Sequence, residues 1–311
     1  MEEQVVPRYG IPMETIVAAK LDMEKLWRNW SFPIVAPQAL LQSARIVRRF
    51  RPDVVLGTGG YVSAPVVLAA AAVRVPVVLQ EQNAMPGRAT RLLSRVARVV
   101  ATAYPESARY LHAQAVVTGT PVRTEFWKRD DFPMRPRRLL ILGGSQGAHR
   151  VNEAVATAVP ALTGRLGMDV WHQTGEHDVR WLESLGSSGG RYHPFAFADD
   201  LAEQVHAADL VVSRAGAGSI SEVSAAGIPM LLVPGPFAGG HQQLNAEPFE
   251  RAGAARVIAN EECDGPRLTR EIAAIADDPA AYSKMVDAMR FLGRPRAAEE
   301  VAGLLQAAAT S

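Results

Sequence analysis

The sequence predicts an α/β protein made of two doubly wound parallel-sheet domains with a cleft between them. Near-continuous runs of valine, leucine and isoleucine alternate with segments of helical periodicity along the chain. Such runs are typical of parallel strands that are buried on both faces. A chain of 311 residues is long for one hydrophobic core and comfortable for two. The predicted strands are 53–56, 75–79, 98–101, 115–117, 138–142, 168–172, 209–212, 230–233 and 255–258.

A segment rich in proline, aspartate and arginine, residues 126–137, predicts the boundary between the domains. We expect one domain over residues 1–130 and the other over 131–311, with the last helix packing back towards the first. Helices are predicted over 148–162 and 219–226. The first domain is expected to be incomplete at its N-terminus, because residues 1–20 offer only a helix end and one modest strand over 14–18.

The charges are distributed unevenly along the chain. Residues 1–135 hold 18 lysines and arginines against 11 acidic residues, a balance of +7, and the rest hold 15 against 21, a balance of −6. A basic first half favours an anionic surface or ligand as its partner, although a solvated charge distribution without a role is the alternative. The single cysteine, Cys263, excludes an internal disulfide framework.

Two turns of small residues follow predicted strands and open predicted helices. One is the run 214–222, which contains Glu222, and the other is the run 143–148, which contains Ser145. Free backbone N–H groups and the positive end of the helix dipole at such a turn suit a phosphate. Glu222 lies near the start of its helix, where a carboxylate can accept two ribose hydroxyls. One such turn is a weak signal, but two in one domain favour a nucleotide.

Polar side chains follow several other predicted strands. His241, Gln242 and Asn245 open a helix and are expected to contact sugar hydroxyls, with ordinary helix capping as the alternative. Arg123, close to the domain boundary, is placed to pair with a diphosphate, and a salt bridge at the hinge is the alternative. In the first domain, the segments 57–65 and 80–87 place backbone donors and polar groups on the side of the cleft.

Taken together, these segments resemble the MurG family, the N-acetylglucosaminyltransferases that complete the lipid-linked precursor of peptidoglycan. The resemblance covers essentially the whole chain. Six motifs match in order: residues 59–65, 81–87, 121–123, 143–148, 214–222 and 241–246.

The resemblance implies a GT-B glycosyltransferase, a hexosyltransferase, with two Rossmann-like domains. The second domain would bind UDP-N-acetylglucosamine, and the first would bind the undecaprenyl-pyrophosphoryl-muramoyl-pentapeptide acceptor. The transfer would go to the 4-hydroxyl with inversion, without a cofactor or a bound metal. The residues implied in substrate binding are Tyr61, Asn83, Arg123, Ser145, Ala198, Ala217, Gly218, Ser219, Glu222, His241, Gln242 and Asn245.

The chain departs from the family pattern at several positions. Gln80, Thr120 and Ser219 stand where the family commonly has His, Asn and Thr. The family also begins with a strand and a glycine-rich loop whose His is the usual candidate for the general base. This chain has no such loop and no His before His112, so by the family layout it begins about 60 residues late. Glu81 is the remaining candidate for the base.

A stretch of aromatic and aliphatic residues near the N-terminus precedes a basic cluster formed by Arg45, Arg48, Arg49 and Arg51. This combination predicts peripheral contact with an anionic membrane surface, at the cytoplasmic face, and a core-facing helix with a solvated basic end is the alternative. No nucleic acid is expected as a partner. The residues expected at the membrane are Leu26, Trp27, Trp30 and Phe32.

Two other functions remain open at this point. One is a related GT-B transferase that acts on another lipid acceptor. The other is a UDP-sugar-binding fragment without turnover, since the second domain carries a full set of donor motifs while the first lacks the family's loop.

Overall fold

The computed structural model describes residues 6–18, 32–127, 129–143, 148–184, 190–198, 200–236 and 240–310. The chain divides into two compact units. The first comprises Met1–Glu81, Pro86–Val116 and Val301–Ser311, and the second comprises Gln82–Met85 and Val117–Glu300.

The first unit contains a four-stranded sheet in the order β1-β2-β3-β4. β1 pairs with β2 and β2 with β3 in parallel. The core of this unit lies on both faces of the sheet, with Val67 and Leu79 fully buried on one face and Val78 packed on the other against Leu304 and Ala308 of the last helix. The elements are α1 (Phe32–Phe50), β1 (Val55–Gly57), α2 (Ser63–Ala72), β2 (Val77–Glu81), α3 (Arg88–Leu93), β3 (Val99–Thr102) and β4 (Gln114–Val117).

The second unit contains a six-stranded sheet in the order β10-β9-β8-β5-β6-β7, and all its strand pairs are parallel. This is the doubly wound dinucleotide-fold order, in which chain direction across the sheet reverses between β5 and β8. Its elements are β5 (Arg138–Leu142), α4 (His149–Pro160), β6 (Asp169–Gln173), α5 (Val179–Glu183), β7 (Tyr192–Phe195), α6 (Leu201–Ala207), β8 (Leu210–Ser213), α7 (Ala217–Ala226), β9 (Met230–Leu232), α8 (His241–Arg251), β10 (Ala255–Val257), α9 (Gly265–Ala276), α10 (Pro279–Leu292) and α11 (Ala297–Ala309), the last of which continues into the first unit.

Asp209 fixes the start of the two central strands of this sheet. One carboxylate oxygen accepts hydrogen bonds from the backbone N–H groups of Arg137 and Arg138, both at 2.9 Å. The other lies 3.0 Å from the guanidinium of Arg129. The buried hydroxyl of Tyr282 donates to the Asp209 carbonyl at 2.9 Å. These contacts satisfy a nearly buried carboxylate and hold β5 beside β8.

The predicted α/β fold with parallel sheets is confirmed, and each of the nine strands predicted from 53–56 onwards corresponds to an observed strand. The predicted strand over 14–18 is wrong, because residues 11–18 form no regular element. Instead the N–H of Val17 donates to the side chain of Gln42 in α1 at 2.8 Å, a helix contact in place of a sheet ladder. Strand β7 was not predicted.

Candidate donor site

The carboxyl ends of β5 and β8 form the point where a doubly wound sheet binds its ligand. β8 leads through Arg214 and Ala215 to Gly216, which caps the N-terminus of α7. The first N–H groups of a helix have no partner within the helix and point at whatever lies beyond it. A Cβ added at Gly216 or Gly218 would meet nothing within 4 Å, so the space beside this N-terminus is open. The turn can therefore receive an anionic group, as predicted for Ala217, Gly218 and Ser219.

Glu222 lies on α7, one turn beyond that open N-terminus, and is half-buried. Burial raises the pKa of Glu222, and the nearby guanidinium of Arg123 acts in the opposite direction. Arg123 is exposed, with its guanidinium 5.1 Å from the ring centre of Phe126. The structure thus brings together the predicted ribose carboxylate and the predicted diphosphate cation.

Gly143 directly follows β5, and its N–H donates to the carbonyl of Gln173 at 2.9 Å. A Cβ at position 143 would lie 2.7 Å from that carbonyl oxygen, so only glycine fits without a backbone shift. Ser145, in the segment that follows, lies outside the described residues. Ala198, which the resemblance implies in binding the uracil of the donor, follows β7. Ala198 is half-buried, and its neighbour Phe197 is 64% exposed.

Helix α8 begins with three predicted sugar-binding residues, and each makes a hydrogen bond within the protein. The Gln242 side chain accepts from the N–H of Gly235 at 2.7 Å. The Nδ1 atom of His241 lies 3.1 Å from the Met85 carbonyl, so Nδ1 carries the proton in this contact. These contacts orient the start of α8 and the loop that follows β9.

Asn245, one turn further along α8, is 1% exposed and ties three segments together. Its Oδ1 accepts from the N–H of Ala84 at 2.9 Å. Its Nδ2 donates to the side chain of Asn83 at 3.2 Å and to the carbonyl of Ala215 at 3.3 Å. Both amide hydrogens therefore go to protein oxygens. Asn245 links the segment Gln82–Met85 to the turn before α7, and its predicted contact with a sugar hydroxyl stays a prediction.

Two predicted residues lie in the first unit. Tyr61 is exposed, in the turn between β1 and α2. Glu81 is 3% exposed, and its Oε2 accepts a hydrogen bond from the N–H of Gly87 at 3.1 Å, just before α3. That bond closes the turn after β2, and the role of Glu81 as a base stays a prediction.

Sequence reasoning missed one buried polar cluster at the ligand edge of the second unit. It includes Asn152 in the first turn of α4 and His172 near the end of β6, both completely buried. A partial signal was available, since His172 lies in the predicted strand 168–172 and Asn152 in the predicted helix 148–162, and polar side chains that become buried require partners. In the part of the chain that the structure describes, no group of three or more His, Cys, Asp or Glu could hold a metal ion.

Comparison with known proteins assigns the chain to a family. Residues 138–301 match the glycosyltransferase family 28 C-terminal domain, and residues 1–102 match its N-terminal domain. A protein of Anaeromyxobacter dehalogenans is 41% identical over 310 residues, covering 97% of this chain and 81% of the relative. It is named UDP-N-acetylglucosamine–N-acetylmuramyl-(pentapeptide) pyrophosphoryl-undecaprenol N-acetylglucosamine transferase. The chain belongs to the MurG family of glycosyltransferases.

Other comparisons agree with the MurG family. A relative from Moorella thermoacetica with the same name is 39% identical over 97% of this chain and 86% of its own length. The crystal structure of MurG from Acinetobacter baumannii superposes with a TM-score of 0.79 at 29% identity, over 98% of this chain and 87% of that one. The structure of a putative UDP-N-acetylglucosamine 2-epimerase from Listeria monocytogenes shares only the fold. It superposes with a TM-score of 0.72 at 15% identity, over 98% of this chain and 85% of that one. The chain is therefore a glycosyltransferase with the GT-B fold.

Proposed function

We propose that this chain transfers N-acetylglucosamine from UDP-N-acetylglucosamine to the 4-hydroxyl of lipid-linked N-acetylmuramoyl-pentapeptide, with inversion. The observation that carries the proposal is the identity of about 40% over nearly the whole chain to enzymes whose names state this donor and this acceptor. The open N-terminus of α7, with Glu222 and Arg123 beside it, supports a nucleotide diphosphate as part of the donor.

In the proposed reaction, the acceptor oxygen attacks the anomeric carbon from the face opposite the diphosphate. The bond between that carbon and the diphosphate oxygen breaks, and UDP leaves with the electron pair. The N–H groups of Ala217 and Gly218 and the guanidinium of Arg123 would stabilise the charge that develops on the diphosphate. Glu222 would accept the ribose hydroxyls, and Ser145 would donate to the diphosphate.

The proton of the acceptor hydroxyl must pass to a general base, for which Glu81 remains the candidate. Glu81→Gln keeps an oxygen acceptor for the N–H of Gly87 and removes the basic carboxylate. If Glu81 is the base, kcat falls by about a hundredfold or more while the KM for UDP-N-acetylglucosamine is unchanged. A variant with nearly full kcat would exclude Glu81 from this role.

We further propose that helix α1 lies against an anionic membrane at the cytoplasmic face. Among its exposed residues are Ile34 and Leu41, and the exposed Arg48 and Arg49 lie in its last turn. Exposed aliphatic groups next to a basic cluster favour binding to anionic lipid. Phe32 begins the helix and is half-buried, whereas Leu26, Trp27 and Trp30 lie outside the described residues. In the part of the chain that is described, the structure contains no helix whose length and apolar character would let it cross a bilayer.

Sedimentation with phosphatidylglycerol vesicles tests this surface. The double variant Ile34→Ser/Leu41→Ser should lose most of its binding, and Leu92→Ser, which alters an exposed leucine on α3, serves as the matched control. Equal binding by the double variant and the control would refute the proposed surface.

Activity is tested by following UDP release and sugar transfer to a lipid-linked muramoyl-pentapeptide. The proposal predicts UDP release that depends on this acceptor. Release that is equally fast with an unrelated lipid-linked sugar would favour a different acceptor and contradict the proposal.

A further inference from the structure

Asn152 is the centre of a buried hydrogen-bond network that the proposed reaction does not use. Its Nδ2 donates to the Thr174 carbonyl at 2.9 Å and to the Asp178 carboxylate at 2.7 Å. Its Oδ1 lies 3.0 Å from Nε2 of His172. The Thr174 carbonyl can only accept a hydrogen bond. Burial raises the pKa of Asp178, but its hydrogen bonds to His149 and Asn152 outweigh this and lower the pKa, so Asp178 is an ionised acceptor. The Asn152 side-chain amide therefore has only one orientation, with Nδ2 towards both acceptors.

His172 continues the network away from the helix. It is completely buried, and burial lowers the pKa of His172 to about 3, so the ring is neutral. Its Nε2–H therefore donates to Asn152, and its Nδ1 accepts from the hydroxyl of Tyr192 at 2.8 Å. The donors run in one direction, from Tyr192 through His172 and Asn152 to Asp178. Every buried member has its partners, which makes the arrangement rigid.

This network links the first turn of α4 to the ends of β6 and β7 on the ligand side of the sheet. The Oδ1 of Asn152 lies 3.4 Å from the position that a Cβ at Gly143 would occupy. The backbone N–H of Asn152 donates to the Ala148 carbonyl at 2.9 Å. Gly143 and Ala148 flank the segment predicted to bind the diphosphate. Thr174 receives the amide of Asn152 and donates its own N–H to the Phe195 carbonyl at 2.9 Å, two residues before Phe197.

We propose that Asn152 is a positioning residue of the donor site. Its side chain would fix the N-terminus of α4, which follows the predicted diphosphate-binding run, relative to Ala198 after β7, without itself touching the ligand. The inference rests on the proposed function, because it assumes that the donor is a uridine diphosphate sugar. A displacement of about 1 Å in such a site costs as much as a hundredfold in activity.

The variant Asn152→Asp tests this role through pH. It replaces the amide donor with an oxygen that faces the Asp178 carboxylate at the same short distance. Two carboxylates this close repel when both are ionised and share one proton when the pH falls, and the shared proton restores a donor to Asp178. The titratable groups that face the two side chains are His149, Glu153, His172, His177, Asp178 and Tyr192.

Calorimetric titration with UDP should be carried out on wild type and variant at about pH 8 and about pH 5.5, because two carboxylates that share a site take up one proton more readily than an isolated carboxylate does. We expect the Kd of Asn152→Asp to exceed that of wild type about tenfold or more at the higher pH, and the ratio to shrink severalfold at the lower pH. The KM for the acceptor should not change. The double variant Asn152→Asp/Asp178→Asn restores a donor and an acceptor between positions 152 and 178. The ratio of its Kd for UDP to that of wild type should therefore be the same at both pH values.

Gln204→Glu is the charge-matched control, since it adds a carboxylate that still accepts from Arg138 on the same unit. Thermal unfolding at both pH values reports the folded fraction. If Asn152→Asp does not fold, Tyr192→Phe replaces it, because it removes only the hydroxyl that donates to His172, and we expect it to raise the Kd for UDP about threefold.

The outcomes separate the two proposals. Wild-type protein that neither binds UDP nor transfers sugar refutes the proposed function. Wild type that binds UDP, beside an Asn152→Asp variant whose Kd ratio stays near one at both pH values, overturns the positioning role. The positioning role is also overturned if Asn152→Asp loses thermal stability but its folded fraction binds UDP with the wild-type Kd.

Discussion

Gly143 directly follows strand β5 at the ligand edge of the second sheet, and replacing it with alanine tests the geometry of the donor site. The new Cβ would lie 2.7 Å from the Gln173 carbonyl oxygen, 3.3 Å from the Ala148 nitrogen and 3.4 Å from Oδ1 of Asn152. Two of these atoms belong to the backbone and cannot rotate away. The backbone at position 143 must therefore move relative to β6.

The size of that movement follows from the distances. To reach ordinary contact at 3.4 Å, the Cβ and the Gln173 oxygen must separate by about 0.7 Å. Overpacking of this kind costs about 1–3 kcal/mol in the free energy of unfolding. A shift of that size in a segment that holds a diphosphate should raise the Kd for UDP about 10–100-fold. Titration calorimetry with UDP and denaturant unfolding measure the two effects on the same protein.

Gly164→Ala is the matched control, because a Cβ there would meet nothing within 4 Å and its φ angle lies outside the left-handed region. It should bind UDP as wild type does and unfold at the same denaturant concentration or slightly higher. If Gly143→Ala also binds UDP with the wild-type Kd, the loop after β5 does not hold the diphosphate and the donor-site geometry is refuted.

Three further predictions concern the second unit. Because burial raises the pKa of Glu222, UDP affinity should fall on acidification at a pH above the ordinary value for glutamate. Glu222→Gln should bind UDP more weakly than wild type, with an affinity that does not change with pH. It should also unfold at a higher temperature than wild type at neutral pH, because the buried negative charge is gone. A wild-type affinity for UDP that does not change with pH would contradict this prediction. Asn245→Ala removes hydrogen bonds to the buried backbone of Ala84 and Ala215 and should lower the free energy of unfolding by about 2–4 kcal/mol in urea, whereas a loss below about 1 kcal/mol would show that these groups find other partners. Asp209→Asn leaves Arg129 without its ion pair, and we expect the free energy of unfolding in urea to fall by about 2–4 kcal/mol. Raising the salt concentration should not lower the free energy of unfolding of wild type by this amount.

The parallel sheets could be predicted from the sequence, because strands buried on both faces are near-continuous apolar runs such as 138–142 and 209–212. Strand β7 could not, since its four residues include Pro194 and are only partly buried after Tyr192. The segment 14–18 has the composition of a strand but bonds to the side chain of Gln42 instead. Tertiary context decided both cases.

The candidate site shows the same division. The turn of small residues at Gly216 could be predicted, because a short turn of this kind connects a parallel strand to the helix that follows it. The partners of Asn245 and Asn152 could not, because they join residues far apart in sequence, such as Asn83 with Asn245 and Asn152 with Asp178. Their buried amides are set by packing that a single sequence does not display.

Transfer of labelled sugar measures the central claim most directly. Wild-type protein is incubated with UDP-N-acetylglucosamine labelled in the sugar and with a lipid-linked muramoyl-pentapeptide, and the lipid product and free UDP are quantified together. The account predicts that the label moves to the lipid in a β linkage, with one UDP released for each sugar transferred and none released without the acceptor. Binding of UDP-N-acetylglucosamine without such transfer, or conversion of the sugar to an epimer that proceeds without the acceptor, would contradict it.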